Sequence, residues 1–307
     1  MEDRVSIIVC TYNRKDYVEE CIKSAVSQTH KNTEVIVTDG GSTDGTLDII
    51  KKYQDKLKLI IVPNSTTGQC LNSGMRESTG DWVMFLHDDN VLYENAVDTL
   101  LEGTKKIKDP NHEIPYANMD CIDEQSKIIL RPEEPNYNDL SDFERNTILL
   151  HHYYGNISCC IINKKLLARC GMFDNKIRID EDYEMWLRYC ILYNCRLVLV
   201  QGRIVKWRYH GTSGTAKKQV LAKTTDAQTR EIILQKLDPE LRSRYLKAVE
   251  EYRNQQVPQK IRVRRKIRDR VFSVLPEKWS NKITESYLKK KGIKKYHGLY
   301  VKDDSEK

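Results

Sequence analysis

No stretch of the sequence approaches the roughly 20 consecutive apolar residues that a helix needs to cross a bilayer, which excludes a chain built from membrane-spanning helices. A basic and apolar leader is missing too, because strand-like residues begin at Val5, so the expected location is the cytoplasm. Neither GxGxxG nor GxxxxGK[ST] occurs, and no dinucleotide site or P-loop triphosphate site is therefore indicated. Cysteine is present but lacks a metal or disulfide pattern: nine residues, an odd number, without a CxxC pair or a repeated spacing. Cys10, Cys21, Cys70, Cys159, Cys160, Cys170, Cys190 and Cys195 fall in apolar or helical patterns and read as reduced core thiols.

What remains is a chain of 307 residues, 39% hydrophobic and 31% charged, with mean hydropathy −0.62. That is enough for one large α/β domain with a sizeable core plus an appendage. The net charge of +7 is unevenly spread: residues 216–307 hold 25 Lys and Arg against 12 Asp and Glu, net +13, which leaves 26 against 32, net −6, for residues 1–215. A basic tail suits nucleic acid or an anionic membrane surface, or is a solvated helix face.

Along the chain, apolar strand-like runs at 5–10, 34–38, 57–62 and 82–87 alternate with helical patterns at 17–28, from 47, and at 68–79. That alternation predicts right-handed βαβ units in a doubly wound, mostly parallel sheet. The loops after successive strands then share one edge, which brings Thr11, Tyr12, Asn13 and Arg14 together with Asp39, Gly40 and the pair Asp88–Asp89 around one crevice. Adjacent carboxylates at the carboxyl end of a buried strand suit Mg²⁺ or Mn²⁺, and through it a diphosphate. The plainer alternative makes Asp88-Asp89-Asn90 a turn and N-cap cluster before a helix at 94–106. Further on the sequence predicts a strand starting at 114, a loop over 131–142, a strand at 155–162, a helix at 164–169 closed by Gly171, a strand at 203–207, and one tail helix over 225–254. Between 260 and 272 apolar Ile261, Val263, Ile267, Val271 and Phe272 sit among cations, a pattern that suits an anionic membrane face or a basic helix packed on the main domain.

The runs at 6–14, 34–46 and 80–89, three motifs in order, resemble the family 2 inverting glycosyltransferases of the GT-A fold. The resemblance covers about residues 4–215. It implies a nucleotide-sugar half (1–110), an acceptor half (111–215) and a separate basic helical extension (216–307). It also implies that Thr11 and Tyr12 hold the nucleoside, that Asp39 bonds the base, and that Asp89 binds the metal with Asp88 on the ribose side. His87 departs from the family, standing where many members carry the first acid of the triplet. The stretch Gly171-Met172-Phe173-Asp174 followed by Glu181-Asp182-Tyr183-Glu184-Met185-Trp186 looks like the acceptor-side motif, with Asp182 as general base and Glu181 and Trp186 beside it. Arg208-Tyr209-His210 resembles the closing motif, whose His can complete the metal site. Each has a structural alternative: a helix cap for Asp39 or Asp182, a packed aromatic for Tyr12, a buried structural His for His210, and packing for Asn72 and Gly74.

The spacing of Gln201 and Trp207 does not fit the QxxRW motif of processive members, so transfer of a single sugar is expected. The resemblance thus implies a nucleotide-diphosphate sugar donor, UDP-linked by expectation, a saccharide or lipid-linked acceptor, Mn²⁺ or Mg²⁺, and no nucleic acid. A sugar nucleotidyltransferase would need a Gly- and Arg-rich N-terminal loop that is absent. A nucleotide-sugar-binding scaffold without turnover is the remaining alternative.

Overall fold

The computed structural model describes residues 3–178, 180–210, 225–255, 293–296 and 299–302. The chain divides into two compact units, Met1–Arg242 and Ser243–Lys307. The first unit is mixed α/β, with a mostly parallel sheet flanked by helices.

Its central sheet has the order β3-β2-β1-β4-β8, from Lys58–Ile61, Thr33–Asp39, Val5–Thr11, Trp82–His87 and Ile162–Asn163. All but the last pair are parallel. Every residue of β1 is buried, as an unbroken apolar run requires when both neighbours are strands and helices cover both faces. Helix α1 (Val18–Val26) buries Val18, Cys21, Ile22 and Ala25. After α2 (Thr46–Lys51), helix α3 (Thr67–Glu77) opens on a capping box: Gln69 N–H donates to Thr66 Oγ1 and Thr66 N–H to Gln69 Oε1. Gly74 lets that helix lie close on β1, since a Cβ there would stand 2.4 Å from Ile8 Cγ2.

A second sheet, β5-β9-β6-β7, is formed by Val91–Leu92, Arg196–Arg208, Glu113–Ile122 and Ile128–Leu130, with helix α4 (Ala96–Thr104) against it. Strand β9 is far longer than the predicted 203–207. Its register with β6 shifts near Asn118, and Gly202 sits there at φ 123°, so an irregularity interrupts a pattern that alternation would otherwise reveal.

The predicted strand at 155–162 is a correction. Gly155 at φ 73° turns the chain, Asn156 Oδ1 accepts from Ser158 N–H at 2.9 Å, and a 3₁₀ turn (Ile157–Cys159) follows, leaving only Ile162–Asn163 as strand. A short apolar run buried on all sides has no periodicity to separate the two readings. Helix α5 (Asp142–His151) was not predicted at all. Helix α6 (Lys164–Cys170) ends as expected at Gly171, φ 83°. Helix α7 (Glu181–Leu187) continues into a π-helical turn, Arg188–Leu192. The single tail helix is two, α8 (Thr225–Leu234) and α9 (Pro239–Gln255), because Pro239 starts a new helix and Asp238 Oδ1 accepts from Leu241 N–H. Helix α8 packs on α7, with Ile233 buried.

The second unit carries most of α9 and an antiparallel pair, β10 (Ile293–Tyr296) and β11 (Leu299–Lys302). The cationic stretch 260–272 lies outside the described residues. All nine cysteines are buried free thiols, as the sequence predicted. Among the described residues no helix is long and apolar enough to cross a membrane.

Candidate active site

The parallel register sets the crevice. Thr11 pairs with Asp39 and Cys10 with His87, so the loops after β1, β2 and β4 leave the sheet at one level. They are tied to one another by hydrogen bonds. Gly40 N–H donates to Thr11 O at 2.9 Å, Asn13 N–H to Ser42 Oγ at 2.8 Å, Thr43 N–H to Asn13 Oδ1 at 2.9 Å and Arg14 N–H to Thr46 Oγ1 at 2.8 Å. Asn13 takes φ 53°, a left-handed conformation that Asn tolerates better than most residues.

Asp39 is wholly buried. Its Oδ1 accepts from Gly41 N–H (2.8 Å) and Ser42 N–H (2.7 Å), while buried Oδ2 has no hydrogen-bond partner in the protein. An N–H donor on a ligand would satisfy it. Asp39 does not bond α2, whose N-cap is Gly45; Asp44 Oδ1, just before it, accepts from Thr46 N–H at 3.0 Å. The Tyr12 ring crosses Gly40, where a Cβ would stand 3.2 Å from Tyr12 Cδ2, yet the residue is 59% exposed. A flat aromatic face held against backbone and open to solvent suits stacking of a base.

At the end of β4, Asp88 Oδ2 accepts from Tyr12 N–H at 3.3 Å and Oδ1 lies 3.5 Å from Arg14 Nε. Burial, reinforced by Asp89, pushes its carboxyl up to about 7 against the opposing pull of Arg14. Asp89 goes the other way. Burial works against its charge, but the His210 hydrogen bond, with His87 and Arg14 nearby, holds it below the usual range. His210 is buried, its Nε2 3.0 Å from Asp89 Oδ2 and its ring 4.7 Å from that of Tyr17. Buried Arg208 fixes this corner. Its Nε donates to Asp89 O at 2.9 Å, its N–H to Asn90 Oδ1 at 3.1 Å, and its Nη2 pairs with Glu20. Asp89 and His210 can offer one oxygen and one nitrogen to a divalent cation. Among the described residues no group of three or more His, Cys, Asp or Glu side chains could hold one. The donor set therefore fits a cation that keeps ligands from elsewhere, as Mg²⁺ and Mn²⁺ do with phosphate oxygens.

The third element arrives from the far half of the unit. Asn72 Nδ2 donates to Phe173 O and Asn175 Oδ1, both at 2.9 Å, and Phe173 N–H donates to Asn72 Oδ1 at 3.0 Å, which joins α3 to the loop before α7. Arg188 pairs with buried Glu184 and donates to Cys170 O and Met172 O. Asp180 then enters α7 at φ 67°. Asp182 Oδ1 accepts from Tyr183 N–H at 2.8 Å and Oδ2 from the Tyr153 hydroxyl at 3.1 Å. Burial, with Asp182 adding, pushes Glu181 up to about 8. Trp186 lies beneath: it is wholly buried and edge-on to Tyr189, so it supports α7 from behind. Burial raises the Cys10 thiol near the end of β1, and the charges of Asp88, Glu181 and Asp89 add to the rise.

Sequence reasoning passed over Tyr153, and took Asn90 only as part of a turn and cap cluster. The run His151-His152-Tyr153-Tyr154 carries no spacing that points at Asp182, and Arg208 was read only as part of a motif. Asn72, read as packing, bonds the loop that leads to α7.

Residues 6–171 match the family described as Glycosyl transferase family 2. A glycosyltransferase of Rickettsia prowazekii is 30% identical over 205 residues, 65% of this chain and 64% of its own length. Another, from Rickettsia bellii, is 32% identical over 222 residues, 69% of this chain and 31% of its own length. The chain thus spans less than two thirds of these relatives. TarS of S. aureus in complex with UDP-GlcNAc superposes with TM-score 0.60 at 19% identity, over 82% of this chain and 72% of that one. The mannosyltransferase PcManGT of Pyrobaculum calidifontis, in complex with GDP-Man and Mn²⁺, superposes with TM-score 0.56 at 19% identity, over 81% and 69%. At these identities the structures speak to the fold, which is that of GT-A glycosyltransferases, and the sequence match decides the family: this chain belongs to glycosyl transferase family 2.

Proposed function

We propose that this glycosyltransferase moves a single sugar, with inversion, from a UDP-sugar to a saccharide or lipid-linked acceptor in glycan or cell-surface polysaccharide assembly. The observation that supports this most is the free buried oxygen of Asp39 beside the exposed Tyr12 ring, on the same sheet edge as Asp88 and Asp89. Tyr12 stacks on the base, Asp39 Oδ2 accepts its N–H, and Asp88 faces the ribose. Mn²⁺ or Mg²⁺ held by Asp89 and His210 would supply the positive charge that stabilises a departing diphosphate. Asp182 takes the proton from the acceptor hydroxyl as that oxygen attacks opposite the leaving group. Glu181 stands beside it, and the Tyr153 hydroxyl holds one of its oxygens.

Thermal shift against UDP-, GDP- and TDP-sugars, with and without Mn²⁺, tests the donor reading. A ligand at 100 times its Kd stabilises by about 2.7 kcal/mol, a rise of several degrees, and the response is expected to need nucleotide and metal together. No movement of the midpoint with any nucleotide sugar in Mn²⁺ would sink it. The stretch 260–272 is read as a contact with anionic membrane, so a chain ending at residue 258 is expected to lose binding to anionic vesicles while keeping donor binding.

A further inference from the structure

Asp182 divides its oxygens between its own backbone and another segment. Oδ1 accepts from Tyr183 N–H, and Oδ2 accepts the hydroxyl of Tyr153, 29 positions earlier in the chain. That phenol sits between α5 and the 3₁₀ turn and is held from several sides. Its ring stands edge-on to Tyr183, 5.9 Å between centroids at 84°. The Tyr183 hydroxyl donates to Leu149 O at 3.0 Å, and Arg230 of α8 donates to Leu150 O at 2.9 Å, so the end of α5 that leads to Tyr153 is anchored by two other helices. The Tyr153 hydroxyl has a second acceptor, Gly155 O, at the longer distance of 3.4 Å. Burial and the charge of Asp182 push the phenol well above its ordinary value, which keeps it a donor.

We propose that Tyr153 is a positioning residue for the base: by occupying one lone pair of Asp182 Oδ2 it fixes the carboxylate so that a single orientation is offered to the acceptor hydroxyl. The proposal rests on the reading of Asp182 as base. A free carboxylate has about four acceptor positions and rotates among them, and a proton transfer gains from every orientation removed before the reaction. The other titratable groups near this pair include Glu181 and Tyr183, on the same helix as Asp182, and the Cys160 thiol beside Tyr153; none is altered by the test below.

The experiment compares wild type, Tyr153→Phe, Asp182→Asn and the double variant. UDP release is followed with water as acceptor, from the UDP-sugar of largest thermal shift in Mn²⁺, over about pH 5 to 9, with rates normalised to the folded fraction. Tyr153→Phe is expected to lower kcat about 5- to 20-fold and leave donor KM within about two-fold. In the Asp182→Asn background the same change is expected to cost less than about two-fold, because its target is gone. Unchanged kcat in Tyr153→Phe, with Asp182→Asn slow, overturns the positioning role. So does an equal loss in both backgrounds, which marks a scaffold residue. Wild-type turnover in Asp182→Asn removes the base reading itself and this inference with it, and it shows in the single variant without Tyr153.

Discussion

At the sheet edge, Asp39, Asp88 and the Tyr12 loop come from strands that lie next to each other in register, and their loops bond to one another within 46 residues of the N-terminus or directly at the end of β4. Asp182 has a different origin: a positive-φ entry at Asp180, a loop pinned by Asn72 and Arg188, and a phenol from beyond α5. The first region is rigid by topology, because parallel strands fix where their ends fall. The second is held by side-chain hydrogen bonds between distant segments and by the buried side chains of Tyr183, Met185 and Trp186. Single substitutions on the α7 side should therefore act on turnover and local order, and those at the sheet edge on ligand binding.

Asp182→Asn carries the largest expected effect. It retains size and most hydrogen bonding but removes the base, so kcat should fall about 10²- to 10⁴-fold, roughly 3 to 5 kcal/mol of barrier, with donor Kd almost unchanged. Near-normal turnover, with only a small fall in melting temperature, would return Asp182 to the status of a helix residue. At the sheet edge the counterpart is Asp89→Ala. It should abolish the Mn²⁺-dependent part of donor stabilisation, a loss of about 2.7 kcal/mol at saturating ligand, while basal stability changes less. An undiminished metal response in that variant would break the assignment.

The two regions also differ toward pH. At the sheet edge Asp88 is raised to about 7 while Asp89 is lowered, so the two act in different pH ranges and Asp88 adds to the loss of stability as pH climbs toward 7. On α7, Glu181 rises from 4.5 to about 8. A carboxyl whose folded value is raised contributes stability fully below its unfolded value, and loses that contribution as pH climbs through the folded one. The donor-free protein should thus lose several kcal/mol between about pH 5 and 8, with Asp88 contributing below about pH 7, and Glu181→Gln should reduce that slope without abolishing it. Melting curves across the range check it, and an identical slope in the variant would assign the titration to other groups.

The same contrast explains what could be read from the sequence. Strands β1, β2 and β4 are short apolar runs ending in polar turns, so both their existence and the level of their ends were legible, and with them Asp39, Asp88 and Asp89. The second sheet was mostly hidden: β5 and β7 are two and three residues long, and β9 carries an irregularity at Gly202 that breaks alternation. Asp182 was named through a motif, but Tyr153, which bonds it, was not, because a contact over 29 residues through an irregular link leaves no periodic trace. His210 was named as a possible ligand, whereas Arg208, which ties the corner together, has partners on several segments that only folding brings within reach.

Helix α5 is the exception, a missed element whose signal was present. Ser141-Asp142-Phe143-Glu144 is a capping box: Ser141 Oγ accepts from Glu144 N–H at 3.3 Å and Glu144 Oε2 accepts from Ser141 N–H at 2.9 Å. The acid-rich stretch before it reads as loop, and only the S-x-x-E spacing ahead of Ile148, Leu149 and Leu150 marks the start. Ser141→Ala removes one acceptor for a helix-start N–H and should cost about 1 kcal/mol. Because α5 leads to Tyr153, the loss should appear as faster amide exchange over residues 142–151 and a modest fall in kcat. The nucleotide-sugar thermal shift should keep its wild-type size, since no strand of the central sheet depends on that cap. A variant that lost donor response as strongly as it lost α5 protection would show that the two regions are one cooperative unit, and the separation between topology-held and side-chain-held halves would fall.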